Sequence, residues 1–145
     1  MHIEIREKSF DPWRELARHE REALQQTGKR GATSVFVGSM RDFNEGVPVT
    51  AMRLEHYAAM AEKHLRGIAQ QAMARWEILD VLIVHRVGEV YPNDPIVLVA
   101  VWSAHRAAAY EANRFIMEDL KSTAPFWKKE TLREGSRWVE KNTPA

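Results

Sequence analysis

The chain has 145 residues, with 45% apolar and 28% charged side chains, the balance of one soluble globular domain able to bury a core. Its 21 basic and 20 acidic side chains leave a net charge of +1, which argues against bulk nucleic-acid binding. There is no cysteine, so a disulfide, a thiolate metal site, an iron–sulfur cluster and a cysteine nucleophile are excluded within the chain, and any sulfur in its chemistry must arrive on another molecule. The start, Met1 to Phe10, is charged and has no apolar leader stretch. No apolar run approaches the roughly 18 residues of a membrane span, so a cytoplasmic location is expected.

His2 to Arg6 alternates around Ile3 and Ile5 and predicts a short strand. Asp11 and Pro12 then form a helix start, a capping acid followed by proline at the first helical position, and the helix runs to about Gln26. Trp13, Leu16, Ala17 and Leu24 supply its apolar positions. Ala32 to Met40 is a strand with Val35, Phe36 and Val37 continuous in its middle. Gly38 to Pro48 is the most loop-like stretch, and Val49 to Tyr57 is the next strand. A helix from about Ala59 to Trp76 has Met60, Leu65, Ile68, Ala69, Ala72 and Met73 as its inner face. Leu79 to Val90 is one strand, Tyr91 to Pro95 a compact turn, and Ile96 to Trp102 the most apolar strand. The next helix has Ser103 as N-cap and Ala108, Ala112, Phe115, Ile116 and Leu120 as its buried stripe, and Pro125 stops it near Lys121 to Thr123. The tail, Phe126 to Glu140, adds one or two short strands. The order predicts a single α+β domain: a mixed or largely antiparallel sheet with three main helices packed on it.

Several cations invite a chemical reading. Arg41 lies in a loop between Gly38 and Gly46, where backbone can approach a ligand, although a lone loop arginine is also an ordinary solvated side chain. His105 and Arg106 sit in the first turn of a helix, where the partial positive charge of the helix end disfavours cations, and a bound anion would compensate. Lys121 at the other end is favourable on dipole grounds alone. Lys128 and Lys129 follow Phe126 and Trp127; with Trp127 buried, a neighbouring lysine sits on a partly dry surface and can work as acid or base. His105 and Lys121 are 16 residues apart on one helix, about 24 Å at 1.5 Å per residue, too far to touch one small ligand. They serve two sites, or one site is built across a two-fold dimer from opposite ends of two copies of the helix. His56, His64 and His85 have no recognised metal spacing, the loop at 38–46 lacks the G-K-[ST] of a Walker motif, and no G-x-S-x-G is present. No metal and no cofactor are expected.

These segments resemble a known family, the large catalytic subunit of molybdopterin synthase. The resemblance rests on F-V-G-S-M-R-D-F-N-E-G at 36–46, L-E-H-Y at 54–57, H-R-V-G-E-V-Y-P-N-D at 85–94, S-A-H-R at 103–106, F-I-M-E-D-L-K-S-T-A-P-F-W-K-K-E at 115–130 and E-G-S-R-W-V-E at 134–140. It implies an enzyme that converts cyclic pyranopterin monophosphate to molybdopterin, with sulfur delivered as a C-terminal thiocarboxylate on the Gly-Gly tail of a small ubiquitin-like subunit. It also implies a homodimer of large subunits at the core of a heterotetramer. By position, Lys121 and Lys128 match the family's catalytic lysines. Arg41, His105 and Arg106 match its substrate-anion contacts, and Lys129 and Glu130 lie in the adjoining contact segment. Where the family often has an arginine reaching the neighbouring subunit, this chain has Asn142, and Lys141 beside it is the substitute point charge. The competing reading is a non-catalytic anion- or partner-binding module on the same fold; an RNA-binding protein is disfavoured by the near-neutral charge.

Overall fold

The computed structural model describes residues 1–24, 28–133 and 135–139. The elements in chain order are β1 (His2–Arg6), α1 (Pro12–Glu22), β2 (Ala32–Ser39), β3 (Phe43–Asn44), β4 (Val47–His56), α2 (Ala58–Arg75), β5 (Asp80–Arg86), β6 (Gly88–Val90), β7 (Pro95–Ser103), α3 (Arg106–Thr123), β8 (Phe126–Leu132) and β9 (Gly135–Trp138). The expected α+β architecture with three helices is present, but the strands form two sheets. The first has the order β1-β5-β7-β2, in which only the β1–β5 pair is parallel. The second is antiparallel, β3-β4-β8-β9, with β6 on the free side of β4.

The run Val81 to Val84 and the run Ile96 to Trp102 are continuously apolar because both faces of the first sheet are covered. Val81, Ile83, Val99 and Val101 pack with Leu65 and Ile68 of α2, Ile116 and Leu120 of α3, and Met52 and Leu54 of the second sheet. Leu82, Val84, Leu98, Ala100 and Trp102 alternate to the other face, with Phe10 and with Leu16 of α1. Asn113 is buried mid-helix in α3, and its amide donates to the carbonyls of Ser34 (3.1 Å) and Val99 (3.0 Å), pinning the helix on β2 and β7.

The single strand expected at 79–90 is interrupted. The chain turns at Val87–Gly88, so β5 joins the first sheet while β6 pairs with β4 in the second. The expected loop at 38–48 contains a hairpin. Asn44 pairs with Val47 across Glu45-Gly46, both with positive φ (54° and 77°), the conformation a two-residue hairpin turn needs. Helix α1 ends at Glu22, and Gln25 and Gln26 lie outside the described residues. Trp13, Met60 and Met73 face solvent, because each lies off the stripe that meets the sheet. Helix α3 is capped at His105, not Ser103. The Ser103 hydroxyl instead donates to the Glu77 carbonyl (2.9 Å) and accepts from the His105 N–H (3.3 Å), tying the helix start to the end of α2.

At that start Gly31 is indispensable. Its N–H donates to the Ser103 carbonyl at 3.0 Å, and a Cβ on it would sit 2.1 Å from the backbone oxygen of Ala104. Gly31→Ala is therefore expected to lower the free energy of urea unfolding by about 1–3 kcal/mol, the usual cost of overpacking. Unchanged stability would show that the β2–α3 contact is looser than described.

Candidate active site

Strand β8 carries the central residues of the site. Along Phe126–Leu132 the side chains alternate, as in any strand. Lys128 and Glu130 turn inward while Trp127 and Lys129 are exposed. Pro125 ends α3 so that its last turn delivers Lys121 beside them. The loop after β2 brings Arg41. Together these groups line a cavity of about 280 Å³, with Gly38, Phe43 and Met52 among its apolar walls. The Arg41 guanidinium lies 5.0 Å from the centre of the Phe43 ring, so the cation is braced by an aromatic face at the cavity wall. Other depressions occur on the surface, one lined by Glu55, His56, Tyr57, Trp127 and Trp138 and one by Glu4, Glu7, His56 and Glu62. Neither gathers cations, so the lysine cavity is the candidate site.

Its electrostatics follow from burial. Both lysines are largely out of water, which disfavours their charged forms. Lys128 is lowered to about 8 by that desolvation and by the neighbouring positive charge of Lys121. Lys121 is also lowered, chiefly by desolvation, and Arg41 adds repulsion. The two lysines are neighbours at the cavity, and each shifts the other's titration, Lys121 making Lys128 the easier to deprotonate. Glu130 is buried on the same face as Lys128 and accepts from Arg137 Nε at 2.8 Å. Near the lysines, His85 is held neutral, lowered to about 3 by burial and by the charges of Lys121 and Lys128. Its Nδ1–H donates to the Arg86 carbonyl at 2.7 Å, and its ring stacks on Phe126 with centroids 4.0 Å apart.

The structure thus brings together Arg41, Lys121, Lys128 and Glu130. Lys129 points to the opposite face of β8, where its ammonium lies 5.6 Å from the Trp138 ring centre. Trp127 is exposed, so Lys128 owes its dry surroundings to the cavity and not to a buried tryptophan. His105 and Arg106 are exposed at the far end of α3 and do not line this cavity. Lys141 lies outside the described residues. Sequence reasoning passed over Arg137 and gave His85 no role, although a histidine inside an otherwise apolar strand was a usable signal.

Fold and cavity together define a two-sheet α+β domain whose site pairs lysines beside an arginine. The model of the family described as MoaE protein matches residues 8–123. A Pseudomonas aeruginosa protein named molybdopterin synthase catalytic subunit is 50% identical over 97% of this chain and 91% of its own length. The structure of a molybdopterin biosynthesis MoaE protein from Burkholderia ambifaria superposes with a TM-score of 0.79 at 44% identity, over 99% of this chain and 92% of that one. A complex of subunits 1 and 2 of molybdopterin-converting factor from Helicobacter pylori has the same fold, with a TM-score of 0.78 at 21% identity over 95% and 90% of the two chains. The chain belongs to the MoaE family, the family of molybdopterin synthase catalytic subunits.

Replacing Lys121 tests the lysine coupling. In Lys121→Met, Lys128 loses a neighbouring positive charge, so the pH midpoint of its acetylation by trace acetic anhydride, read by peptide mass spectrometry, should rise above the parent's value of about 8. A midpoint that stays or falls would contradict the pairing.

Proposed function

We propose that this protein is the catalytic subunit of a molybdopterin synthase, transferring sulfur from the C-terminal thiocarboxylate of a small ubiquitin-like subunit to cyclic pyranopterin monophosphate to build the dithiolene. The observation that carries the reading is the convergence of Lys121 and Lys128, both lowered by burial, in one cavity beside Arg41. Substrate phosphate and partner thiocarboxylate are both anions, and a cavity of three cations and one neutralised acid suits them. The absence of cysteine fits sulfur that arrives on a partner. The relatives' name, catalytic subunit, implies a further subunit, and the Helicobacter neighbour is itself a complex of two.

In this reading Arg41 forks onto phosphate oxygens. Lys128, with a midpoint of about 8, is the group able to take a proton near neutral pH, and the Lys121 ammonium offsets negative charge as sulfur adds and water leaves. His105 and Arg106 act in trans: they belong to the cavity of a second copy in a two-fold homodimer, because the length of α3 keeps them from their own. Lys141 and Lys129 are secondary anion contacts on this reading, and the whole chain is one such domain, working in the cytoplasm.

Turnover is the test. With cyclic pyranopterin monophosphate and thiocarboxylated small subunit, Lys121→Ala and Lys128→Ala are expected to lose about 10²–10⁴-fold in kcat while remaining folded, the usual share of an acid–base group. Tight binding of both components by the parent without product would favour a binding module. Hybrid dimers separate trans from cis. Mixing Lys128→Ala with Arg106→Ala, each inactive alone, should restore activity, since the hybrid contains one intact composite site; a dead hybrid would place Arg106 in its own subunit's site, and full activity of Arg106→Ala alone would place it in none.

A further inference from the structure

Strand β9 places one more arginine against the site. Arg137 is the cross-strand partner of Glu130. Its Nε donates to Glu130 Oε1 at 2.8 Å, and its Nη2 donates to the Asn44 carbonyl at 3.1 Å. The first contact engages the one acid among the described residues that line the lysine cavity, and the second grips the hairpin that follows Arg41. We propose that Arg137 is a positioning residue of this site: it holds the Glu130 carboxylate away from Lys128 and ties the loop bearing Arg41 to the lysine strand.

Arg137 and Lys128 compete for one carboxylate. Glu130 is buried, with its side chain 6% exposed, so its charge is felt strongly by whichever cation is near. Lys128 lies two residues away on the same face of β8. The charged or titratable groups that face Lys128 are Lys121 from α3, Arg41 from the β2–β3 loop, His85 from β5 and Glu130 from its own strand, with Arg137 behind Glu130. Of these only Glu130 favours the ammonium form of Lys128. While Arg137 forks between Glu130 and Asn44, the acid is already partnered and Lys128 remains easy to deprotonate. Without Arg137, the buried carboxylate has the lysine as its nearest cation. The pair would close, and the amine would hold its proton to higher pH. Lysine at 137 supplies the charge but not the fork, so it should preserve the first effect and lose the second.

The inference rests on the lysine-site reading, but its test needs neither substrate nor turnover. In Arg137→Met, Lys128 acetylation by trace acetic anhydride should shift its pH midpoint upward by about one unit, a tenfold slower reaction at a fixed pH below the midpoint. Arg137→Met with Glu130→Gln should return the midpoint to the parent's or below, and Arg137→Lys should stay near the parent. Hydrogen exchange at residues 41–46 should quicken in both Arg137→Met and Arg137→Lys. An unchanged or lowered Lys128 midpoint in folded Arg137→Met overturns the competition, and unchanged exchange at 41–46 overturns the tether. If Arg137→Met does not fold, Glu130→Gln alone must lower the Lys128 midpoint, and no change there overturns the proposal. Should labelling follow these expectations while Lys128→Ala keeps full turnover, the positioning role stands and the proposed function fails.

Discussion

Two ammonium groups cannot both keep their protons cheaply in one small cavity that is largely out of water. That constraint organises the site. Burial lowers both Lys121 and Lys128, and the positive charge of Lys121 helps to lower Lys128 to about 8, so the two are split and Lys128 is the easier to deprotonate. The surroundings maintain the split. His85 is neutral and so adds no third titrating cation, Arg41 adds fixed repulsion, and the one acid among the described residues of the cavity is occupied by Arg137. The fold exists to bring these groups together: α3 from one layer ends at Pro125 where β8 of the other sheet begins, so two residues seven apart in sequence meet from two different elements.

The long elements were legible in the sequence. Asp11 does cap α1, accepting from the Trp13 N–H at 3.0 Å with Pro12 at the first helical position, and Pro125 does end α3. The misreadings have physical causes. Ser103 looked like a cap because serine caps helices, but its hydroxyl is engaged with Glu77, a partner 26 residues away. The stretch 79–90 reads as one strand because no proline interrupts it before Tyr91, whereas the change of sheet is decided at Gly88, whose φ is 84°. Met60 and Met73 fit the helical spacing of an inner face but lie at its edges and are exposed, and single exposed apolar residues are ordinary on protein surfaces.

The site was partly legible. Arg41, Lys121, Lys128 and Glu130 were named from the sequence and lie together. Lys129 was named with them, but strand alternation sends it to the other face, a consequence available once residues 126–132 are read as a strand. Arg137 was not legible, since its contacts join residues 7 and 93 positions away and depend on sheet register. The helix arithmetic that separated His105 from Lys121 holds in the structure, where α3 runs unbroken over Arg106–Thr123. One chain therefore presents cations at two distant places.

The most direct test of the account is an NMR titration of the lysine side chains in the unliganded protein. Lys128 should lose its proton first, with a midpoint of about 8, and Lys121 should follow in a separate step still below that of a free lysine. If both titrate together at the ordinary lysine value of about 10.4, the pair is neither dry nor coupled, and the central claim fails.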